Sequence, residues 1–260
     1  MAAQYTEVWT LALPATSILK SLGRFFETII FRKNMSEPKD ESARVYKKLK
    51  RFFLEREIVN FYEYLDTLEK EFSIKRQELS TKIDVTDNNL NEIGSNDERR
   101  KELMNLKVEA EQVKGYTNLL RQSFLTSLYS FMELWLMREC HLDSKHRDDG
   151  ESFNSTKGKG IEKVKKYFSV VMKSDYPFGS SQDWLWITNF QLFRDCIIHR
   201  QGSLTGFSDF EIDSTLAKFV DRENGLSLFG VDNNQVFIEY EFCLKALQTV
   251  HGFMLALLAL

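Results

Sequence analysis

Apolar residues recur along this chain at helical spacing over long distances. Between Glu41 and about Ile83 the residues Ile58, Phe61, Leu65, Leu68, Phe72 and Leu79 hold the a and d places of a heptad, with Lys75 the exception. The pattern predicts one long helix. Leu103, Leu106, Ala110, Val113, Leu120, Phe124 and Phe131 repeat it and predict a second, running to about Cys140. Between them Asp84–Asn96 is polar and holds Asp87, Asn88, Asn89 and Gly94, which reads as a turn. Ser95, Asn96, Asp97 and Glu98 have the spacing of a capping box at a helix start. Two heptad helices about a polar turn make an antiparallel hairpin. Its distal part, about Phe72 to Val108, is expected to extend past a compact bundle, to dimerise, dock a partner protein or embrace substrate, or to pack against the N-terminal helices and only support the bundle.

Upstream, Thr6–Arg32 is expected to hold a helix or two, Ile18–Phe31 being the better candidate, with a loop over Lys33–Asp40. Downstream, His141–Thr156 is a charged loop and Gly158–Lys173 a helix. Ser174–Ser181, with Pro177 and Gly179, is a linker. Asp183–Arg200 is apolar and long enough for a further helix, which Gly202 stops. A short helix around Asp213–Arg222 follows. Leu226–Gly230 and Gln235–Tyr240 read as two strands about a Val231–Asn234 turn, and Glu241–Leu260 as the last helix. The expected fold is mainly α. A four-helix core spans about residues 116–141, 159–174, 182–201 and 241–259, with a small β-hairpin and a long N-terminal helical hairpin extension. The expected division is 1–114 for the N-terminal helical region and 115–260 for the bundle.

Composition agrees with long helices: 43% of the 260 residues are hydrophobic, with only 12 glycines and 3 prolines. The net charge of −3 speaks against a general nucleic-acid coat and leaves room for a local basic cleft. Cys140, Cys196 and Cys243 are far apart, odd in number and set in apolar surroundings. They imply reduced thiols in a cytoplasm, with no disulfide framework and no metal knuckle. Pro14, Lys20, Arg24 and Glu27 interrupt the apolar stretch Val8–Phe31, and the closing HGFMLALLAL is too short to span a bilayer. Neither a signal peptide nor a membrane contact is expected.

Candidate chemistry gathers on FRDCIIHRQGS, Phe193–Ser203. Wound as a helix, Asp183–Arg200 sets Leu192, Leu185, Cys196, Phe193, Trp186, Ile197 and Phe190 on one broad core arc. Thr188, Gln191, Asp195 and His199 fall on a narrow polar strip beside it. Arg194 lies just past Gln191, flanked by Ile187 and Ile198. Asp195 and His199 are four apart, so a carboxylate can hold an imidazole in one orientation. An Arg and a His near a helix end also compensate the helix dipole without further purpose. Lys157, Lys159, Lys163, Lys165 and Lys166 crowd the start of the preceding helix. They oppose its dipole there unless an anion such as a phosphate backbone compensates; a solvated face is the plainer account. His141 and His146 with nearby acids match no metal-ligand spacing, and Lys157-Gly158-Lys159-Gly160 lacks the third glycine and the strand of a nucleotide-cradling loop.

Arg194, a polar residue, three more residues and His199, followed by a glycine, resembles the Arg–four–His signature of HEPN domains. RDCIIHRQG is similar in pattern to that family's strings, with Asp195 where Asn is commonest. The preceding stretches LLRQSFLTSLYSFMELWL and GKGIEKVKKYFSVVM resemble the helices that lead into the signature. The resemblance covers roughly Gly115 to the C-terminus. It implies a HEPN-like helical bundle that pairs as a homodimer, with two signature helices across a shared cleft. It also implies a metal-independent endoribonuclease of toxin or antiphage defence systems that uses no cofactor.

Metal-free RNA cleavage needs the 2′-hydroxyl deprotonated, the phosphate charge stabilised and the leaving oxygen protonated. On this reading His199 is the acid/base, Arg194 the phosphate clamp and Asp195 the group orienting His199. Arg200, Lys157, Lys159 and Lys163 bind the RNA backbone. One chain supplies one such His, and pairing supplies the second; Ile187 and Ile198 suit that contact. A cognate antitoxin or defence-system protein is a further expected partner, although a form modified with AMP at a Tyr two places after the His lacks its Tyr, since Gln201 stands there. The alternative is a catalytically inactive HEPN-like dimer that scaffolds or regulates a partner.

Overall fold

The computed structural model describes residues 39–93, 97–145, 152–174, 177–179, 181–205, 213–230 and 232–259. In chain order these form α1 (Lys39–Ile93), α2 (Asp97–Lys145), one 3-10 turn (Phe153–Ser155), α3 (Gly160–Val170), α4 (Gln182–Arg200), α5 (Ser214–Arg222), β1 (Leu226–Phe229), β2 (Gln235–Ile238) and α6 (Tyr240–Leu258). The protein is mainly helical with one small two-stranded sheet. The helices expected over Thr6–Arg32, and the first two residues of the capping box, lie outside the described residues.

Two boundaries differ from the sequence reading for one reason: polar composition alone does not end a helix. The turn expected from Asp84 is helical through Ile93. No proline interrupts it and the first glycine is Gly94, while Asp and Asn each weaken a helix by well under about 1 kcal/mol. Likewise α2 passes Cys140 and takes in His141–Lys145. Tertiary contacts hold that charged end, since the Tyr167 hydroxyl donates to Asp143 at 2.7 Å and the His141 ring meets Phe153 at 4.8 Å.

Chain packing divides the protein into two units, Met1–Lys50 and Arg51–Leu260. Of the first, the described part is the opening of α1, where the Lys50 amine lies 4.2 Å from the Tyr46 ring centroid. The second unit has one core. Phe124, Leu128, Tyr129 and Met132 of α2 pack with Phe190 and Phe193 of α4 and with Phe242, Val250 and Phe253 of α6. Ile161, Val164 and Tyr167 of α3 close one side. Leu54, Ile58 and Leu65 of α1 belong to the same core, and Phe61 meets the Phe124 and Phe131 rings at 5.9 and 5.4 Å. The division expected at residue 114 therefore falls inside an unbroken α2, with core residues on both sides of it. Lys75, the polar residue in the α1 heptad, pairs with Glu109 of α2 at 3.0 Å.

α6 is long and apolar enough to cross a membrane, with mean hydropathy 1.2. Its inward face, from Phe242 to Leu257, fills the centre of the bundle as a core helix.

The sheet ties the ends of the bundle together. β1 and β2 pair antiparallel, Leu226 opposite Ile238 and Phe229 opposite Gln235. On the far side of β2 the Asn118 amide replaces a strand: its Nδ2 donates to the Val236 carbonyl at 3.1 Å and its Oδ1 accepts from the Ile238 N–H at 2.9 Å. The Val236 N–H donates to the Gly202 carbonyl at 3.0 Å, so the turn after α4 is pinned to the same strand. Beside it Arg121, 4% exposed, donates to both Glu69 carboxylate oxygens of α1 at 2.6 and 2.7 Å and to the Ile238 carbonyl at 2.6 Å. A buried charge held this way has a two-pronged counter-ion and a backbone acceptor.

Candidate active site

Local chemistry sets both ends of α4. Ser181 caps the start by accepting from the Trp184 N–H at 3.1 Å. At the other end Gln201 takes the left-handed conformation at φ 53, followed by Gly202 at φ 80, whose N–H donates back to the Cys196 carbonyl at 3.2 Å. A Cβ on Gly202 would also approach Gln122 Nε2 to 2.9 Å, so glycine serves both the turn and the close approach of α2.

The face that α4 buries is rotated from the arc its sequence suggests. Leu185 and Leu192 are 59% and 43% exposed, whereas Trp184 and Ile187 are buried. Trp184 turns inward because Phe178 and Phe253 lie at ring-centroid distances of 5.1 and 6.0 Å. Ile187, expected to help join two copies, is wholly inside the core and cannot. Ile198, at 46% exposure, is available.

Arg194 points back into the bundle. Its guanidinium lies 4.4 Å from the Tyr129 ring centroid, donates to Asp195 Oδ1 at 2.7 Å and reaches Glu133 Oε2 of α2 at 3.4 Å. Asp195 thus partners Arg194; among the described residues no hydrogen bond joins it to His199, which corrects its expected part as the orienter of that imidazole. The reason is reach, since a guanidinium turned toward the carboxylate offers a charged fork at short range. His199 lies in the last turn of α4, exposed to solvent. Arg200 reaches Asp213, the N-cap of α5, at 3.9 Å.

Glu133 and Tyr129 belong to this cluster and do not stand out from the sequence. The one signal there is a lone acid inside the apolar run FMELWLM. Burial first, and the Asp195 charge as well, push the Glu133 carboxyl above the usual carboxylate range, while Arg194 pulls the other way. Burial likewise pushes the Tyr129 phenol up. The Tyr129 hydroxyl and Arg194 Nε are buried with no protein hydrogen-bond partner among the described residues.

The opening of α3 abuts the cluster through Glu133. Gly160, at φ 52, leaves the room that Glu133 Oε1 occupies, and any Cβ there would collide with it. Lys157 and Lys159 beside Gly160 are exposed, Lys159 being the N-cap of α3. The Lys163 amine lies 4.6 Å from the Phe153 ring centroid. One end of α3 therefore brings exposed cations close to the Arg194 cluster.

The three cysteines are buried and free. Burial pushes the Cys140 and Cys196 thiols up to about 12 and about 11, which makes them poor nucleophiles. Among the described residues no three His, Cys, Asp or Glu side chains converge as a metal site.

Comparison of the chain with protein-family models, curated proteins and solved structures finds no match. Geometry is what bears on function. The cluster can hold an anion on Arg194, and His199 presents an exposed imidazole on the same helix.

Proposed function

We propose that the protein is a metal-independent endoribonuclease of the HEPN type, a toxin or antiphage effector that cuts single-stranded RNA at a site shared by two copies. The observation that carries this reading is the placing of Arg194 and His199 on one helix, the imidazole exposed and the guanidinium beside the cationic opening of α3. In the proposed reaction His199 of one copy takes the proton of the 2′-hydroxyl, whose oxygen attacks the adjacent phosphorus. The 5′-oxygen leaves with a proton from the imidazolium of the other copy, yielding a 2′,3′-cyclic phosphate and a 5′-hydroxyl. Arg194 stabilises the phosphoryl oxygens, and Asp195 holds Arg194 rather than His199. Lys157, Lys159 and Lys163 attract the RNA backbone. Arg200, already near Asp213, is a lesser contributor.

Incubation of purified protein with single-stranded RNA tests this. Cutting should persist in EDTA and stop when the 2′-hydroxyl at the cut is replaced by hydrogen. His199→Ala should lower the rate by about a hundredfold or more.

A second reading, an inactive HEPN-like dimer that regulates a partner, draws on the exposed Leu185, Leu192 and Ile198 along α4 and on the two carboxylates that already engage Arg194. Absence of cleavage under every activation tried, with partner binding unaffected by His199→Ala, is the result that would favour it.

A further inference from the structure

We infer that the Glu133 carboxylate sits where an RNA phosphate would bind, as an internal stand-in that keeps Arg194 occupied until substrate displaces it. This rests on the ribonuclease reading for the identity of the substrate, but not for the existence of the seat.

Three observations converge on that seat. Glu133 Oε2 meets Arg194 at 3.4 Å, a loose pairing for a guanidinium that makes a 2.7 Å bond to Asp195. Glu133 Oε1 packs against Gly160 at the opening of α3, where the first N–H groups of a helix have no helical acceptor and favour an anion. The N-cap Lys159 provides no side-chain hydrogen bond to that opening. Arg194 Nε and the hydroxyl of the fully buried Tyr129 are both left without a protein acceptor or donor among the described residues. A carboxylate has two oxygens and reaches Arg194 and α3 with one each. A phosphodiester has two anionic oxygens on a larger tetrahedral centre, and its ester oxygens offer further acceptors to Tyr129 and to Nε.

The charged groups facing Glu133 are Arg194 and Asp195 on α4; Tyr129 on its own helix and Gly160 at the opening of α3 lie against it, and Glu162 in the first turn of α3 faces Tyr129. Two acids beside one guanidinium repel each other, so Glu133, the more loosely bonded, is the one that yields. Its carboxyl is raised mainly by burial, which makes the ionised form the easier to displace.

The test uses the full chain and a short fluorescein-labelled oligonucleotide with hydrogen at every 2′ position, which binds without being cut. Glu133→Gln keeps the side-chain shape and removes the charge. It should bind this probe about tenfold more tightly or better than the wild type, the scale of one charged hydrogen bond. That gain should disappear in the Arg194→Ala background. Equal or weaker binding by a Glu133→Gln protein of unchanged circular dichroism overturns the inference. Should that variant fail to fold, the His199→Ala protein, which lacks the imidazole, supplies the readout. Its affinity must then rise as pH falls toward the carboxylate range, because a raised carboxyl takes up its proton before an ordinary one does. A flat profile overturns the inference as firmly, and Asp195→Asn tells whether the second acid causes the rise. Tighter probe binding without cleavage of ordinary RNA would sink the ribonuclease reading and keep the Glu133 seat. Cleavage without any gain would do the reverse.

Discussion

Arg194 of α4 lies over the ring of Tyr129, 4.4 Å from its centroid, so α2 seats this arginine. This separates it from His199, its companion in the motif, which stands in solvent five residues on. The two residues should respond differently to truncation.

His199→Ala should leave thermal unfolding unchanged while lowering the proposed RNA cleavage by about a hundredfold or more. Arg194→Ala should lose both activity and stability, by about 1–3 kcal/mol, because Glu133 and Asp195 are left facing each other without a cation. Paired urea titrations and RNA-cleavage rates check this. Equal stability of the two variants would show that the Arg194 contacts contribute nothing to folding.

Glu133 should make stability depend on pH. Its carboxyl binds a proton more tightly folded than unfolded, so ionising it works against the fold. As pH rises from below the ordinary carboxylate range to above the raised one, the wild type should lose stability relative to Glu133→Gln. The two should converge at acid pH. Melting temperatures of both proteins across that range decide it, and a gap that widens toward acid pH would rule out burial of the carboxylate as the cause.

Asn118→Ala should loosen the β-hairpin, since it strips the Val236 carbonyl and the Ile238 N–H of their buried partner. The expected loss is about 1–3 kcal/mol. Hydrogen exchange should show faster amide exchange at Ile238 than in the wild type; an unchanged rate there would count against Asn118 as the substitute strand.

Gly202→Ala should destabilise by about 1 kcal/mol or more, because φ is 80 and the new Cβ would crowd Gln122. The Val236 N–H is anchored on this residue's carbonyl, so the turn after His199 should shift as well. Cleavage rate and melting temperature should fall together, and restoration of both by Gln122→Ala would place the damage in that contact.

Removal of Ile74–Leu106 with a short Gly/Ser closure should leave the bundle folded. Among the described residues the main core cluster draws on α1 through Leu54, Ile58 and Leu65, with Phe61 packed against it; none of these lies in the excised stretch, whose buried Leu79 stands outside that cluster. Cooperative loss of the whole fold on this deletion would make the hairpin part of the core.

The sequence alone determined the helical class, the order of the elements and the short hairpin, because periodicity, glycine stops and apolar runs between turns are local properties. Leu226–Phe229 and Gln235–Ile238 lie within the two stretches read as strands, and α4 and α5 begin and end within about two residues of their expected limits. It also drew attention to Arg194, Asp195 and His199 as one group. Tertiary structure decided the rest. Whether Leu185 or Trp184 faces inward depends on Phe178 and Phe253, which no helical wheel of α4 contains. Whether Asp195 serves His199 or Arg194 depends on where Tyr129 and Glu133 turn the guanidinium. Glu133 itself is 61 residues from Arg194 in the chain and meets it only because α2 and α4 pack side by side. A charge pair across that separation leaves no periodic trace in the sequence; it exists only once the helices have buried their apolar faces against each other.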